Sequence, residues 1–385
     1  LALLLGSKQL LAQDTTKIDS SSLAAFYDMS LEQLDSVKAS GVSSELEKFI
    51  NSLMAVATGK SQSTRKLPSV VSLITKEQIR NQGARDLIDV LRMVPGFHFG
   101  LDIDGRIGLG VRGNWAHEGK VLMLIDGVEM NESYQAQLYF GNHFPVDNIE
   151  RIEIVRGPGS AIYGGFAEYA VINIITTQVD DFEGLRAGLT YSRMEETYSR
   201  RTGHAYVSRK FKSWKFNASF FAGQGQRSNG RHVAMFPDSL IVQNGVGRYR
   251  SLSGESDIHP FFANLGVEWK GIRYRSITDF YELTNIAMLD STGKRSTQFG
   301  FQASYHDLRY DWKLRDNFTL SPRIYVLNQF PEQRSRRNDN EFADNTINRS
   351  QYSLTADWDI NHRVNLLVGQ RCVSILQRRA MKALF

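Results

Sequence analysis

The sequence of 385 residues predicts a small mixed α/β domain followed by the strands of a transmembrane antiparallel β-barrel. Between about residues 67 and 177, short apolar strand signals alternate with two helix signals. After Asp181 the pattern becomes a strict alternation of apolar and polar residues, which is typical of a strand with two different faces. The joins between these later strands are alternately tight and long, as in a barrel that crosses a membrane.

The composition provides enough apolar residues for a large core and gives little reason to expect a nucleic-acid partner. Hydrophobic residues make up 42% of the chain, and the formal net charge is +5 with acids and bases interspersed. The single cysteine, Cys372, excludes an internal disulfide and a thiolate metal site. The histidines lack metal-ligand spacing, and the sequence has no evident Ser/His/Asp or paired-carboxylate constellation. We therefore predict no metal, no cofactor and no enzymatic activity.

The N-terminal segment resembles an export signal followed by a polar lead-in. Leu1–Leu5 and Leu10–Ala12 are typical of the end of a secretory apolar region, so residues 1–13 are predicted to be a signal-peptide remnant. Residues 14–66 are mostly polar and form the predicted lead-in. No other stretch approaches the roughly 18 consecutive apolar residues of a transmembrane helix, so crossing a membrane would require strands.

Two short helices are predicted near the start of the α/β domain. Thr75 can cap the first helix, Gln78 three residues later completes a capping box, and Gly83 ends it. The second helix carries apolar residues at helical spacing from Leu87 to Val94 and ends at Pro95-Gly96. These signals predict the limits of both helices from the sequence alone.

Five strands complete the α/β domain. They are predicted at residues 70–74, 107–111, 121–125, 152–155 and 170–175. Asp126-Gly127 is a favoured hairpin dipeptide and follows the third strand. A glycine-rich turn at residues 157–165 joins the last two strands. The expected product is a small mixed domain.

Nine strands of about nine to eleven residues are predicted after the α/β domain, a length that suits a tilted membrane crossing. They fall near residues 184–193, 203–211, 213–223, 261–269, 272–283, 299–312, 317–328, 350–359 and 363–370. Tight turns are predicted at residues 212–213, 270–271, 315–316 and 361–362, and long polar loops at 224–260, 284–298 and 329–349. Because every long loop falls at the same end, a barrel with short periplasmic turns and long external loops is favoured over a soluble sandwich.

The α/β domain resembles the plug of TonB-dependent outer-membrane receptors. The matching segments occur in order over about 110 residues: 67–75, 89–96, 111–113, 124–128, 149–164 and 171–176. Each segment alone is weakly specific, whereas their order is highly specific. The resemblance implies a plug domain at residues 67–180 and a barrel of the 22-stranded class, of which residues 181–385 form the N-terminal, truncated part.

The family's function is implied by the resemblance. Such a receptor imports a bulky, scarce solute, such as an iron-siderophore or a cobalamin-like compound, with energy transmitted from the inner membrane. TonB, part of an energising complex in that membrane, pairs with a short receptor segment as an added strand. The implied partners are TonB, a small-molecule or metal-chelate ligand and outer-membrane lipid. The receptor is expected to be a monomer in the bacterial outer membrane, with its plug inside the barrel lumen and its N-terminus in the periplasm.

The segment that TonB recognises, the TonB box, has two candidates in the lead-in. The favoured one lies just before the first plug strand and comprises Asn51, Ser52, Leu53, Met54, Ala55, Val56, Ala57 and Thr58. The rival is Asp35–Val42. Either segment could also be plain linker.

Other residues of the plug match the family's structural features. Arg112 and Arg156 resemble the charged latch that pairs a plug with acidic barrel residues, although a solvated surface arginine is the alternative. The expected structural glycines suit tight, closely packed turns. They are Gly96, Gly113, Gly127, Gly157, Gly159 and Gly164.

Ligand contacts are expected in plug loops that point to the outer side. Aromatic residues mixed with His, Arg and Asp suit a bulky chelate or corrinoid, although packing under the barrel rim is as good an interpretation for any one of them. The candidates are Phe97, His98, Phe99, Asp102, Arg106, Trp115, His117, Tyr134, Tyr139 and Phe140.

Two features depart from an intact receptor of this family. Nine strands do not close a plugged barrel, and residues 370–385 abandon alternation and become basic. A truncated or frame-shifted gene product is therefore one hypothesis, which would leave the chain without transport activity. The alternative from another class is an outer-membrane protein that senses a ligand or mediates adhesion without import.

Overall fold

The computed structural model describes most of the chain from Val70 onward. The described residues are 70–102, 105–116, 118–157, 165–194, 198–228, 233–234, 249–250, 256–286, 296–335, 338–361 and 364–382. They form an N-terminal domain, residues 70–180, and one long sheet, residues 184–382.

The N-terminal domain consists of two sheets and two short helices. Its strands are β1 Val70–Thr75, β2 Phe97–Leu101, β3 Ile107–Val111, β4 Asn114–Trp115, β5 Val121–Ile125, β6 Val128–Glu129, β7 Ile149–Arg156 and β8 Ala170–Thr176, and its helices are α1 Lys76–Gln82 and α2 Leu87–Leu91. One sheet has the strand order β1-β7-β8-β5-β6, with β5 and β8 parallel and the other pairs antiparallel. The other sheet has the order β2-β3-β4.

Helix α1 begins and ends where the sequence predicts. The Thr75 hydroxyl accepts a hydrogen bond from the Gln78 amide at 3.3 Å, and the Gln78 side chain accepts one from the Thr75 amide at 2.9 Å. This reciprocal pair is the predicted capping box. Gly83 follows the helix with φ of 64°, a left-handed conformation that glycine adopts without steric cost.

Helix α2 is shorter than predicted. Asp86 caps it by accepting a hydrogen bond from the Asp89 amide at 3.2 Å, but the helix ends at Leu91 and not at Val94. The Val94 amide instead donates to the carbonyl of Leu91 at 3.0 Å, three residues back. Hydrogen bonds between residues three positions apart wind the chain more tightly than an α-helix does. This tighter turn places Val94 in the core ahead of Pro95.

The five predicted strands of this domain are present, but the segment after α2 is not a loop. Residues 97–101 form β2, in which Phe97 pairs with Val111 and Leu101 with Ile107. The interpretation of this segment as a loop was wrong because its alternate residues pack on the core: Phe97 is 7% exposed. The two-residue strands β4 and β6 were also not predicted.

The long sheet is antiparallel throughout. Its strands are β9 Gly184–Arg193, β10 Tyr198–Phe211, β11 Trp214–Gln226, β14 Asp257–Trp269, β15 Ile272–Ile286, β16 Ser296–Tyr310, β17 Trp312–Arg315, β18 Phe318–Ser335, β19 Asn338–Asn361 and β20 Val364–Lys382, with a separate small pair β12 Val233–Ala234 and β13 Tyr249–Arg250. The order is β9-β10-β11-β14-β15-β16-β18-β19-β20, with β17 beside β18. All nine predicted strands are present, and within the described residues the sheet does not close on itself.

The two ends of the long sheet differ as the sequence predicts. The tight-turn end carries the joins between β10 and β11, between β14 and β15, between β16 and β18 through β17, and between β19 and β20. The loop end carries the joins between β9 and β10, β11 and β14, β15 and β16, and β18 and β19. The prediction of a long loop at 329–349 was wrong, since β18 and β19 remain paired as far as Ser335 and Asn338. The polar side chains of this stretch do not prevent backbone pairing.

The basic C-terminal stretch also belongs to the sheet. Strand β20 was predicted to end near residue 370, but it continues to Lys382, which pairs with Phe342 of β19. Backbone hydrogen bonds to β19 hold this strand without an alternating side-chain pattern. The described side chains of β20 are exposed.

The core lies between the N-terminal domain and one face of the long sheet, here called the inward face. Alternate residues of β14 and β15, including Phe262, Ile277 and Tyr281, are buried there against Tyr139 and Phe144. Their neighbours along the strands point the other way, so Phe261 and Phe280 are exposed. The predicted period-two alternation therefore separates a packed face from an exposed apolar one.

The helices of the described residues are all too short or too polar to span a membrane.

We predict that Leu91→Ala destabilises the N-terminal domain by about 2 to 5 kcal/mol, because Leu91 is fully buried and its loss leaves a cavity. Chemical unfolding in detergent micelles measures this. Leu101→Ala is the matched control, because that side chain is 59% exposed, and it should cost less than about 0.5 kcal/mol. Equal losses for the two variants would contradict the described core.

Candidate functional site between the N-terminal domain and the long sheet

The turn between β5 and β6 is inserted against the inward face near the tight-turn end. Its residues Asp126 and Gly127 have φ values of 51° and 77°, as a type I′ hairpin requires. The Asp126 carboxylate pairs with Arg275 Nη1 of β15 at 2.6 Å and accepts a hydrogen bond from Asn264 Nδ2 of β14 at 3.0 Å. The Thr176 hydroxyl donates to the same carboxylate at 2.7 Å. One aspartate therefore joins the N-terminal domain to two strands of the long sheet.

The main-chain oxygen of the same turn binds two arginines. The Gly127 carbonyl accepts hydrogen bonds from Arg309 Nη2 at 2.8 Å and from Arg323 Nη2 at 3.0 Å. Asp307 lies between these arginines and accepts from each Nε at 2.5 Å, which orients both guanidinium groups. Gly127 has φ of 77°, which favours glycine, and a Cβ there would lie 2.9 Å from the Arg309 guanidinium nitrogens, so an added side chain would have to displace that guanidinium.

A third contact near this end also joins an acceptor of the N-terminal domain to an arginine of the long sheet. Glu129 of β6 pairs with Arg349 of β19 at 2.8 Å, and the Tyr325 hydroxyl donates to the Glu129 carbonyl at 3.3 Å. The N-terminal domain thus supplies acceptors and the long sheet supplies arginines. These contacts are separate from the predicted latch, in which the plug arginines Arg112 and Arg156 would pair with acidic barrel residues.

The two predicted latch residues make their contacts elsewhere. Arg112 donates to the Arg156 carbonyl at 3.4 Å, and Arg156 donates to the Pro95 carbonyl at 3.0 Å. Both contacts lie within the N-terminal domain, and neither side chain pairs with an acid of the long sheet in the described residues. The two arginines lie at the ends of β3 and β7, away from the β5–β6 turn that meets the sheet.

A buried polar contact lies midway along the inward face. His143 Nε2 is 2.6 Å from Asp279 Oδ1 of β15, and both side chains are 1% exposed. His143 Nδ1 is 2.7 Å from the Tyr139 carbonyl. The imidazole stacks between Phe144 and Tyr281, with ring centroids 4.1 and 4.2 Å away. Packing therefore fixes the ring in the plane that serves both contacts.

Neighbouring groups attach the same segment to the sheet through its backbone. The Tyr281 hydroxyl lies 3.0 Å from the Phe140 carbonyl and 2.9 Å from the Gly141 carbonyl. Gln329 of β18 donates to the Asn131 carbonyl at 3.1 Å and accepts from the Ser133 amide at 2.8 Å. Each buried polar group of the sheet named here has a partner in the N-terminal domain, as buried polar groups require.

At the loop end, the turn between β2 and β3 meets the end of the sheet. Arg227, just beyond β11, donates to the Gly105 carbonyl at 2.8 Å and to Asn285 Oδ1 of β15 at 2.8 Å. Gly105 has φ of 73°, and a Cβ there would lie 2.2 Å from the Asn285 amide nitrogen. The turn is therefore held at a close backbone approach.

Arg106 organises the loop-end surface of the N-terminal domain. Its side chain pairs with Asp102 at 3.1 Å and donates to Gln135 at 2.9 Å and Gln137 at 2.6 Å. The amides of Tyr134 and Gln135 donate to the nearby Glu132 carboxylate. Burial nevertheless raises the pKa of Glu132 above its ordinary value, against the lowering effect of those amides and of Arg106.

A cavity of about 550 Å³ opens between α2, the β2–β3 turn and the loop end of the sheet. Arginines outnumber aspartates among its charged lining residues, which are Arg85, Asp86, Asp89, Arg92, Arg200 and Arg227. Hydrogen bonds from the Arg85 guanidinium, the closest at 2.7 Å, lower the pKa of Asp89 and keep it ionised. The lining is thus polar and carries a net positive charge. In the described ranges, no group of three or more His, Cys, Asp or Glu side chains could hold a metal ion.

The predicted ligand residues separate into buried and accessible groups. Phe97, Arg106, Tyr139 and Phe140 are buried, and burial raises the pKa of the Tyr139 hydroxyl above its ordinary value. The accessible or partly accessible ones are His98, Phe99, Asp102, Trp115 and Tyr134.

Several predicted positions lie outside the described residues. These are the TonB-box candidates Asn51–Thr58 and Asp35–Val42, the ligand candidate His117, and Gly159 and Gly164. The other predicted glycines all adopt positive φ: Gly96 88°, Gly113 83°, Gly127 77° and Gly157 147°.

The sequence analysis missed the residues that connect the two parts. On the sheet side, Asn264, Asp279, Asp307 and Gln329 lie on the inward face. For Asp279 the available signal was a polar residue at a strand position whose alternate neighbours, Ile277 and Tyr281, are apolar. Their partners could not be found this way, because the turn at Asp126-Gly127 is a common hairpin signal with no mark of a binding role.

An α/β domain packed against the inward face of an up-and-down antiparallel sheet is the arrangement of a plug against a barrel wall. The comparisons with known proteins agree. Residues 63–171 match the family profile described as TonB-dependent Receptor Plug Domain. A segment of 119 residues is 38% identical to the vitamin B12 transporter BtuB of Vibrio vulnificus, and covers 29% of this chain and 18% of that protein.

Solved structures resemble the chain over a greater length. The siderophore receptor PirA from Acinetobacter baumannii has a TM-score of 0.57 at 17% identity, covering 79% of this chain and 47% of its own. A variant of the ferric enterobactin receptor PfeA from Pseudomonas aeruginosa, in complex with enterobactin, has a TM-score of 0.57 at 16% identity, covering 80% and 50%. The chain therefore spans about half the length of these receptors.

Residues 63–171 therefore match the plug domain of TonB-dependent receptors, and the long sheet that follows resembles the barrel of the solved siderophore receptors. The N-terminal domain is called the plug below, and the long sheet the barrel sheet.

We predict that Gly127→Ala loosens the plug at the barrel sheet by about 1 to 3 kcal/mol, because alanine is strained at this φ and its Cβ meets Arg309. Thermal unfolding and proteolysis of the plug in micelles measure the effect. Gly83→Ala is the matched control, because φ is also positive there but no atom lies within 4 Å of the added Cβ. It should cost only about 1 kcal/mol.

A double variant isolates the part due to Arg309. Once Arg309→Ala has removed the guanidinium, the additional cost of Gly127→Ala should fall to that of Gly83→Ala. An unchanged cost in the Arg309→Ala background would mean that the turn does not dock as described.

Proposed function

We propose that this chain is the plug-bearing part of a receptor in the bacterial outer membrane that imports a bulky, scarce solute. The observation that carries the proposal is a TonB-dependent receptor plug packed on the inward face of an antiparallel barrel sheet. The solute is an iron-siderophore, a cobalamin-like compound or a related molecule. Transport uses energy transmitted from the inner membrane, and no reaction is catalysed.

The polar cavity at the loop end supports this proposal. It is large enough for part of a chelate or corrinoid, and its arginines favour negatively charged groups. The accessible candidates His98, Phe99, Asp102, Trp115 and Tyr134 would contact the solute directly. The buried candidates Phe97, Arg106, Tyr139 and Phe140 would hold the surface beneath it.

The exposed face of the barrel sheet supports contact with outer-membrane lipid. Its apolar residues would lie in the hydrocarbon region, with aromatic residues near the tight turns at the membrane interface. The exposed aromatic residues near those turns are Phe211, Trp214, Tyr310, Trp312 and Trp358. We propose that the tight-turn end and the N-terminus face the periplasm and that the barrel is monomeric.

The energy would arrive through TonB and its inner-membrane complex. In this proposal TonB pairs with Asn51–Thr58 as an added strand, with Asp35–Val42 as the rival segment. Force on this segment would reach the plug through β1, the first plug strand in the described residues. The plug would then move against its polar contacts with the barrel sheet. Arg112 and Arg156 remain proposed contributors to the latch.

We predict that Leu53→Pro abolishes uptake and leaves ligand binding intact, because proline removes a backbone donor from the added strand. The measurement is accumulation of radiolabelled cobalamin and of a labelled ferric siderophore by Gram-negative cells that make this protein and lack other receptors for these solutes. Val37→Pro is the matched control in the rival segment and should leave uptake unchanged.

Removal of TonB, or collapse of the proton gradient, should stop uptake in the same cells. Uptake that persists under either condition would refute the energised mechanism. Binding without any uptake would favour the sensing or adhesion alternative, and the absence of both would favour a non-functional gene product.

A further inference from the structure

The contact between His143 and Asp279 has an unusual requirement for a proton. His143 belongs to the plug and Asp279 to β15, and the 2.6 Å between Nε2 and Oδ1 is a short hydrogen-bond distance. Both side chains are 1% exposed, so water does not screen the contact. Within the described residues, Asp279 Oδ2 has no hydrogen-bond partner, which leaves His143 as the main partner of this carboxylate.

The second ring nitrogen fixes the tautomer. His143 Nδ1 lies 2.7 Å from the Tyr139 carbonyl oxygen, which can only accept, so Nδ1 must carry a hydrogen. Nε2 and Oδ1 then need one further proton between them. Either the imidazole is doubly protonated beside a carboxylate, or a neutral imidazole accepts from a protonated carboxyl group. Without that proton, a nitrogen lone pair would face a buried carboxylate at 2.6 Å.

We propose that His143 and Asp279 form a proton-binding site that locks the plug to the barrel sheet. The lock is closed when the pair holds one shared proton, and it opens when the proton is lost. The ligand of this site is the proton itself, in either of the two arrangements. The inference concerns the docking of the plug and can be tested without solute, TonB or transport.

Phenol groups surround the pair on three elements. Tyr139 lies on the plug segment itself, Tyr281 on β15 and Tyr305 on β16, and all are buried. The Tyr281 hydroxyl is directed at plug carbonyls, and the Tyr305 hydroxyl accepts from Gln329 at 3.2 Å. On β14, the facing residue is the apolar Phe262, which contacts Phe144 edge-on. The phenols are therefore occupied and do not replace the shared proton.

Charged groups near the pair have other partners. The charges of Asp86, at the start of α2, and of Arg227, beyond β11, both interact electrostatically with the Tyr281 hydroxyl. Asp86 pairs with Arg200 at 3.5 Å, and Arg227 is bound to Gly105 and Asn285. On the plug side, the charges of Glu132, Asp102 and Arg106 interact electrostatically with the Tyr139 hydroxyl. Arg106 also forms an ion pair with Asp102. The charge of the pair is thus balanced mainly within the pair.

The sign of the pH dependence follows from this geometry. Because the docked pair keeps a proton that the separated residues release as the pH rises, docking is lost as the pH rises through that release. A protein whose plug contacts were all independent of protons would show no such loss. The test is therefore the protection of residues 139–144 from hydrogen–deuterium exchange, relative to the intrinsic rate at each pH.

Asp279→Asn separates the proton from the hydrogen bond. An asparagine amide donates to a neutral Nε2 without the shared proton, so the contact survives in nearly the same shape. Between about pH 5 and pH 10, protection of 139–144 should fall at least about tenfold in the wild-type protein and should not fall in Asp279→Asn, because the contact there needs only a neutral imidazole. A level wild-type profile, or an equal fall in both proteins, would overturn the proposal.

Two further variants keep the test decisive. His143→Gln also offers a donor that does not titrate, so if Asp279→Asn fails to fold, a level profile in His143→Gln supports the proposal and a wild-type fall overturns it. His204→Gln is the matched control. His204 of β10 also pairs with a plug aspartate, Asp147 at 3.3 Å, but the Asp147 side chain is 49% exposed and therefore screened. His204→Gln should keep the wild-type dependence of protection on pH. Loss of that dependence in His204→Gln would assign the proton to the His204–Asp147 pair and overturn the proposal.

Discussion

The constraint on which the rest of the structure depends is that buried polar groups on the inward face of the barrel sheet must find partners. One face of the sheet is exposed and the other packs on the plug, so the buried groups Asn264, Asp279, Asp307 and Gln329 cannot be satisfied by water alone. Each is paired, directly or through arginines, with the plug. The inward face therefore requires the plug to present hydrogen-bond donors and acceptors at particular positions along the strands.

The contacts between the plug and the barrel sheet change in character from the tight-turn end to the loop end. At the tight-turn end, guanidinium groups surround the β5–β6 turn, and the central region is mainly apolar, with the His143–Asp279 pair and the contacts of Tyr281 and Gln329 among its polar groups. At the loop end, Arg227 and Arg106 hold a polar surface around a cavity. Polar contacts at both ends give direction and register, whereas apolar burial supplies most of the adhesion. Because exposed or partly hydrated polar contacts are individually modest, such an interface can be both specific and breakable.

Much of the architecture could be predicted from the sequence, because local signals specify it. The capping box at Thr75, the hairpin dipeptide at Asp126 and the alternation after Asp181 each depend on neighbours along the chain, and all were correct. Strand ends were predicted less well, since β18 and β19 extend through residues whose polarity suggested a loop. The candidate site was predicted in outline only. Pairing of Asp279 with His143 joins residues 136 positions apart, and no local pattern reports it.

The acceptor that Arg309 and Arg323 share has a consequence for how this protein tolerates sequence change. It is the main-chain oxygen of Gly127, which every amino acid would supply. What evolution must preserve there is a dihedral angle and an absent methyl group, not a functional group. The opposing arginines, by contrast, depend on their full side chains. Substitutions at this contact should therefore be asymmetric across a lineage: the barrel partners constrained by chemistry, the plug partner by shape alone.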